Sequence, residues 1–358
     1  MKRVAFIILC LMILTTCTEQ QPPAPGRIYF VRDKSIWALN VADDRETQLV
    51  DYYPYDGMSV SPDGHWLLYP VEWDVGQRIG PMGLWVADTR IGRETGLVRE
   101  VPAMETTWLL DSRLLVIEYP DWHVSADVTE VSLGTPRYTI FDLDTGERAP
   151  ATWYVPPLEH ERINYAPTLD CAAIIIYNFD LETPDTLRVF CEGMNGPVTL
   201  STPLFLGDVV WSNDGQLLAF YAGEELETPD TWRLYIWHRD TDAMEEIDTG
   251  TDDVGAPSWS PDNQWLAFGT RYPHLCVLHL DDKNVTCFED YLSGRGIPLS
   301  WAPDSKRLAL STCASGVCDQ IEGECGCEHR VLVAVDVPSG AITLLATDVD
   351  FCTPVWGK

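Results

Sequence analysis

From residue 27 onward the chain alternates short apolar runs with clusters of turn formers. Trp66-Leu67-Leu68-Tyr69, Leu217-Leu218-Ala219-Phe220, Leu266-Ala267-Phe268 and Leu308-Ala309-Leu310 are representative runs. Runs of this length, bounded by Gly, Pro, Asn and Asp, predict strands buried on both faces. No amphipathic helical period follows residue 26. Each run is preceded by a small motif in which an aspartate stands four residues before an aliphatic residue. Its copies are centred on Asp63, Asp111, Asp170, Asp214, Asp262 and Asp304, at spacings of 48, 59, 44, 48 and 42 residues. A strand–turn–strand unit recurring at this period predicts a β-propeller.

Each repeat divides into four strands, a to d from the axis outward. The residues before the aspartate form strand a, and the motif is the a–b turn, where Pro sets φ and Gly allows a positive φ. The apolar run is strand b. A second run ending in an acidic turn, such as Leu84-Trp85-Val86-Ala87-Asp88 or Tyr138-Thr139-Ile140-Phe141-Asp142, is strand c. The ends of the chain supply one more repeat. Arg27-Ile28-Tyr29-Phe30 reads as a strand b and Ser35–Leu39 as its strand c, while Thr353-Pro354-Val355-Trp356-Gly357-Lys358 reads as a strand a cut off before its turn. Six motifs and one split blade predict an all-β, seven-bladed ring, with six blades as the alternative. The C-terminal strand joins the N-terminal blade and removes the sheet edges of an open array.

The Trp-Ser-Pro-Asp-Gly-x-x-Leu-Ala-Phe pattern resembles the WD40-like, TolB-type propeller repeats often called PD40. The copies at Val60, Trp211, Trp259 and Trp301 carry the resemblance, and those at Trp108 and Pro167 follow it by spacing. TolB also has a separate α/β domain without a counterpart here, and the same repeat occurs in propellers of prolyl-oligopeptidase-type peptidases, whose hydrolase domain is also without one. The resemblance therefore implies the fold and leaves function to individual sites.

Lys2 and Arg3 precede the apolar run Val4–Leu14, the layout of an export signal too short to span a bilayer. Leu14-Thr15-Thr16-Cys17 resembles a bacterial lipobox, with Thr16 where Gly, Ala or Ser is usual. The expected organisation is a signal over 1–17 with lipidation at Cys17, a Pro-rich linker over 18–26, and one propeller over 27–358. The chain is thus expected outside the cytoplasm, anchored to a membrane by its N-terminus and facing the periplasm or the extracellular space.

The net charge is −31. Such acidity argues against a nucleic-acid partner, which needs a basic footprint, and leaves membrane contact to the acyl anchor. In an exported chain the 11 cysteines read as disulfides rather than redox or metal chemistry. Cys171 and Cys191 flank one hairpin, and Cys276 and Cys287 flank the Asp281-Asp282-Lys283 turn, placing each pair at bridging distance. Cys313, Cys318, Cys325 and Cys327, with His329, read as two disulfides stapling a long loop, with a zinc site or a redox role as the alternatives. Cys352 is the candidate for the unpaired thiol.

The a–b turns are short, so their face of the ring reads as structural. The b–c loops on the opposite face are long and carry nearly half of the net charge. Loops on a rigid scaffold concentrate binding residues, and Trp73 and Trp122 fall in two of them. Leu181-Glu182-Thr183-Pro184-Asp185-Thr186 recurs as Leu226-Glu227-Thr228-Pro229-Asp230-Thr231. Blade duplication explains the copy; a calcium site using Glu182, Asp185, Glu227 and Asp230 is the functional alternative. No nucleophile elbow, zincin motif or phosphate loop is present. His123, His160, His274 and His329 fall on the loop-bearing face and are the only route to an enzyme. The expectation is a non-catalytic binding or scaffold lipoprotein without a cofactor, recognising a protein of the cell envelope. The alternative is a carbohydrate-binding or metal-dependent polysaccharide-active propeller.

Overall fold

The computed structural model describes residues 26–358 except 55–56, 73–81, 99–102, 122, 125–130, 133, 154–160, 179–183, 195, 201–204, 225–231, 251–253, 271–274, 289–298, 314–318, 322–323, 327–329 and 351–352. The expected signal over 1–17 with Cys17, the expected linker up to residue 25, and Cys352 therefore lie outside the described residues.

Seven four-stranded antiparallel sheets form the ring. Blades 2 to 7 follow the chain, each with its strands in the order a to d. Blade 1 is split: Arg27–Arg32, Ser35–Asn40 and Arg45–Val50 supply strands b, c and d, and Val355–Gly357 supplies strand a. The register of the closing pair is Arg27↔Gly357, Ile28↔Trp356 and Tyr29↔Val355. Seven blades, not six, and closure by the two chain ends are thus the observed architecture.

The hydrophobic interior is divided into seven clusters, one at each interface between neighbouring blades. Strand b of blade 4, Cys171–Ile176, shows how this arises. Ala172 and Ile174 pack toward blade 3, while Cys171, Ala173 and Ile175 pack toward blade 5. Side chains alternate between the two faces of a strand, and here both faces are covered. The strands therefore read as continuous apolar runs rather than alternating ones.

Two of the long b–c connections hold secondary structure of their own. The blade 3 connection contains the hairpin His123–Val124 with Val131–Ser132, and that of blade 7 contains Asp319–Ile321 with Glu324–Gly326. Cys171 is disulfide-bonded to Cys191 across strands b and c, with Cα atoms 4.0 Å apart, and Cys276 to Cys287 across strands c and d at 4.1 Å. Both bridges join residues directly opposite each other, as the hairpin spacing predicted.

Candidate functional site

The ring has two mouths of different construction. At the a–b turns the motif aspartates act within their own turns. The Ser212 and Ser260 hydroxyls each donate to the aspartate two residues on, Asp214 and Asp262, at 2.6 Å. The same serine oxygens accept the backbone N–H groups of Leu217 and Trp265 at 2.9 Å. Each of the six turns has one residue with a positive φ, the one after the aspartate in five of them and Leu169, just before Asp170, in the sixth; only Gly64 and Gly215 are glycines. At three of the other four positions the side chain ties its turn to the preceding blade. Ser112 accepts from the Asp63 N–H, Asn263 from the Asn213 N–H and Ser305 from the Asp262 N–H, at 2.8–3.0 Å. A non-glycine in the left-handed region costs free energy, and these cross-blade hydrogen bonds offset it.

Just before each turn the inner strands place Val60, Trp108, Tyr165, Trp211, Trp259, Trp301 and Trp356 at equivalent positions around the axis. Four of the indoles staple their strand to the inner strand of the preceding blade. Trp108 Nε1 donates to Ser59 Oγ, Trp211 Nε1 to the Asn164 carbonyl, Trp259 Nε1 to that of Val210 and Trp301 Nε1 to that of Ser258, all at 3.0–3.1 Å. These side chains help to line a channel mouth of about 790 Å³. Asp63, His65 and Asp144 bring ligand atoms within 4.8 Å of one another on this face. Asp63 already accepts from the Ser61 hydroxyl and the His65 N–H, and Asp144 from the Trp66 indole, so the cluster reads as turn structure.

The loop-side mouth carries the unusual chemistry. Three residues before the aromatic position, about 10 Å along each inner strand, blades 3, 4 and 5 have Glu105, Arg162 and Asp208. Arg162 Nε lies 3.8 Å from Glu105 Oε1 and its Nη1 lies 3.5 Å from Asp208 Oδ1. Tyr177, which follows strand b of blade 4, hydrogen-bonds to Arg162. Burial pushes the Glu105 carboxyl up to about 7, although the Arg162 guanidinium and the Ile163 N–H both favour its charged form. Burial, followed by the neighbouring Glu105, also raises the Tyr119 phenol. The result is a carboxyl that titrates near neutrality beside a fixed cation and two phenols. Such an environment is typical of functional sites.

Of the residues singled out from sequence, Trp73, Trp122, Glu182, Glu227, Asp230, Cys318, Cys327, His160, His274 and His329 lie outside the described residues. Cys313, Cys325 and His123 are placed by their backbones on strands. Asp185 is described, and it is buried. Its Oδ1 accepts the Asn178 N–H at 2.9 Å and its Oδ2 the Leu206 N–H at 3.0 Å. It therefore fastens the base of its loop to the inner strand of blade 5, which leaves it poorly suited as a calcium ligand. Sequence reading missed Glu105, Arg162 and Asp208. The available signal was charge at one aligned inner-strand position in three successive repeats, where blades 2 and 6 have Gly57 and Ala256.

No family model matches the chain, and no curated protein matches it. Solved structures do. An oligogalacturonate lyase in complex with manganese is 17% identical over 85% of this chain and 83% of its own, with a TM-score of 0.55. An acylaminoacyl peptidase in complex with Z-Gly-Gly-Phe-chloromethyl ketone is 14% identical over 87% of this chain, with a TM-score of 0.58; the chain spans 48% of that protein. TolB from Acinetobacter baumannii is 14% identical over 73% of this chain, which spans 63% of TolB, at a TM-score of 0.47. At these identities the likeness is one of fold, the β-propeller, which hosts unrelated functions.

Proposed function

We propose that this protein is an exported, non-catalytic binding module, anchored through Cys17, whose loop-bearing face recognises a protein partner of the cell envelope. The observation that carries this reading is the split blade. Its strand b starts at Arg27, on the rim of the a–b turns, because its partner strand a ends there at Lys358. A tether reaching back from Gly26 to Cys17 leaves from the plain face, so the acidic loops point away from the anchored side. The two disulfides fit an oxidising compartment. A rigid ring and strongly acidic loops suit a partner with a basic surface, reached by electrostatic steering.

The test places a photo-crosslinking residue at Tyr177, on the loop face, or at Asp144, in a c–d turn of the plain face, in the native cells. A discrete protein adduct from Tyr177 and none from Asp144 is expected. Equal adducts from both, or none from either, refute the reading. Cys17→Ser should release the protein from membranes and abolish incorporation of a labelled fatty acid.

One observation favours a second reading, activity on a polysaccharide. Glu105 has the proton affinity of a general acid or base working near neutral pH, and it stands beside Arg162, Tyr119 and Tyr177. Turnover of an acidic or neutral glycan that is lost in Glu105→Gln would establish this reading in place of the first.

A further inference from the structure

The channel mouth on the plain face differs from the rest of the molecule in its charge. The chain has 55 acidic residues among 358, yet the described lining of this mouth of about 790 Å³ holds no carboxylate side chain, and Lys358 is its only charged one. The volume falls within the range of about 300–1,000 Å³ usual for small-ligand sites. Along the inner strand of blade 3 the lining runs from Leu110 down to Thr106, about 13 Å of extended chain, and stops just short of Glu105.

The rim of this mouth is apolar. The position two residues after the aromatic one holds Pro62, Leu110, Pro167, Pro261 and Pro303 in five blades, with Asn213 and Lys358 in the other two. Leu110 is 55% exposed, whereas Trp211, Trp259 and Trp301 behind the rim are buried. The proline and leucine collar therefore supplies accessible CH surface, and the indoles frame it.

Below the rim the wall carries neutral polar side chains. The position before the aromatic one is Ser59, Thr107, Asn164, Ser258 and Ser300 in five of the seven blades. Three of these serve the ring itself. Ser59 Oγ accepts from the Trp108 indole, Asn164 Nδ2 donates to the Val209 carbonyl, and Ser300 Oγ accepts from the Trp356 N–H, at 2.9–3.0 Å. The hydroxyls of Thr107 and Ser258, and of Thr106 beside them in the lining, have no hydrogen-bond partner among the described residues. They belong to blades 3 and 6, on opposite sides of the ring. A hydroxyl both donates and accepts, so these groups suit a ligand that does the same. An anion would meet the field of a chain at −31, and a cation would find no counter-charge in the lining.

We propose that the plain-face mouth binds an uncharged saccharide, with CH faces of the sugar against the collar of Pro62, Leu110, Pro167, Pro261 and Pro303 and its hydroxyls on Thr106, Thr107 and Ser258. The site is separate from the loop-bearing face, and its failure would leave the reading of that face standing.

The test is calorimetric titration of the full chain with uncharged trisaccharides of glucose, mannose, galactose and N-acetylglucosamine, and with trigalacturonate as the charged comparison. At least one uncharged trisaccharide should bind with a Kd below about 1 mM, and trigalacturonate at least about tenfold more weakly. Thr107→Val/Ser258→Ala removes two hydroxyls that hold no described part of the ring. It should keep the parent's melting temperature and weaken the uncharged sugar about tenfold or more, the weight of two neutral hydrogen bonds. No binding of any uncharged trisaccharide overturns the proposal, as does equal or tighter binding of trigalacturonate. Affinity unchanged in the double variant but lost in Glu105→Gln would place the sugar at the loop-side mouth and equally overturn it.

Discussion

Removing the closing strand should undo the ring, and the size of the effect follows from what that strand buries. Val355 and Trp356 are 7% and 4% exposed. Trp356 packs with Ile28 and Phe30 of its own blade and with Ala302, Ala309 and Leu332 of blade 7. Its backbone N–H donates to Ser300 Oγ at 2.9 Å, and its ring lies under the Arg307 guanidinium at 5.7 Å. Truncating a buried Trp to Ala costs about 3–5 kcal/mol, and re-exposing a buried Val about 1.5–3 kcal/mol. Deleting Val355–Lys358 therefore removes about 5–8 kcal/mol before the broken pairing to Arg27–Tyr29 is counted. Native domains hold only about 5–15 kcal/mol in total. Trp356→Ala should lower the melting temperature on the order of 10 °C, and the deletion should abolish the cooperative transition. Lys358→Ala, at an exposed position, should stay within about 0.5 kcal/mol of the parent. Calorimetry and urea titration measure all three. A deletion variant melting within about 2 °C of the intact chain would show that the ring does not rely on this strand.

Three further outcomes follow from named contacts. Glu105 titrates near 7 when folded, above its ordinary value of 4.5; its contribution to stability is therefore complete below about pH 4.5 and is lost as the pH rises through 7. The parent should lose about 3 kcal/mol more than Glu105→Gln between pH 4.5 and 8 by urea titration, and parallel curves would contradict the burial argument. Replacing Cys171 and Cys191 by Ala should cost about 3 kcal/mol through the freed loop, read as a drop in the denaturation midpoint; no drop would mean that the blade 4 hairpin is held by packing alone. At Asn263 (φ 59°), substitution by Gly relieves the strain but loses the hydrogen bonds from Asn213, whereas Ala loses the same hydrogen bonds and keeps the strain. Asn263→Ala should therefore be less stable than Asn263→Gly by about 1 kcal/mol, and equal stabilities would refute the assigned strain.

The fold was legible because each blade repeats its own physics. Runs such as Leu217–Phe220 are apolar throughout because two interfaces cover them, and the Pro-Asp-Gly turns separate the strands. The split blade could be read because Trp356 precedes no aspartate, yet Arg27–Phe30 needs an inner partner. Leu169 was less legible: it has a φ of 57°, and nothing about a leucine signals that conformation. The hairpins inside the loops of blades 3 and 7 were too short to leave a pattern. The loop-side site was hidden for a different reason. Glu105, Arg162 and Asp208 lie far apart in the chain, and each looks like a lone charge on a strand until the ring sets the three strands side by side. The motif tryptophans were visible as repeats, but the acceptors of their indoles belong to other blades.

The pairing of Tyr29 with Val355 also fixes the order of events in biogenesis. The strand Arg27–Arg32 must wait for Val355–Gly357, more than 300 residues later, before its sheet is complete. Blades 2 to 7 can assemble locally as they emerge, but the final step joins residues separated by almost the whole chain, the slow kind of contact in folding. Until Val355–Gly357 reaches Arg27–Arg32, the ring stays open and its first sheet keeps an unpaired edge.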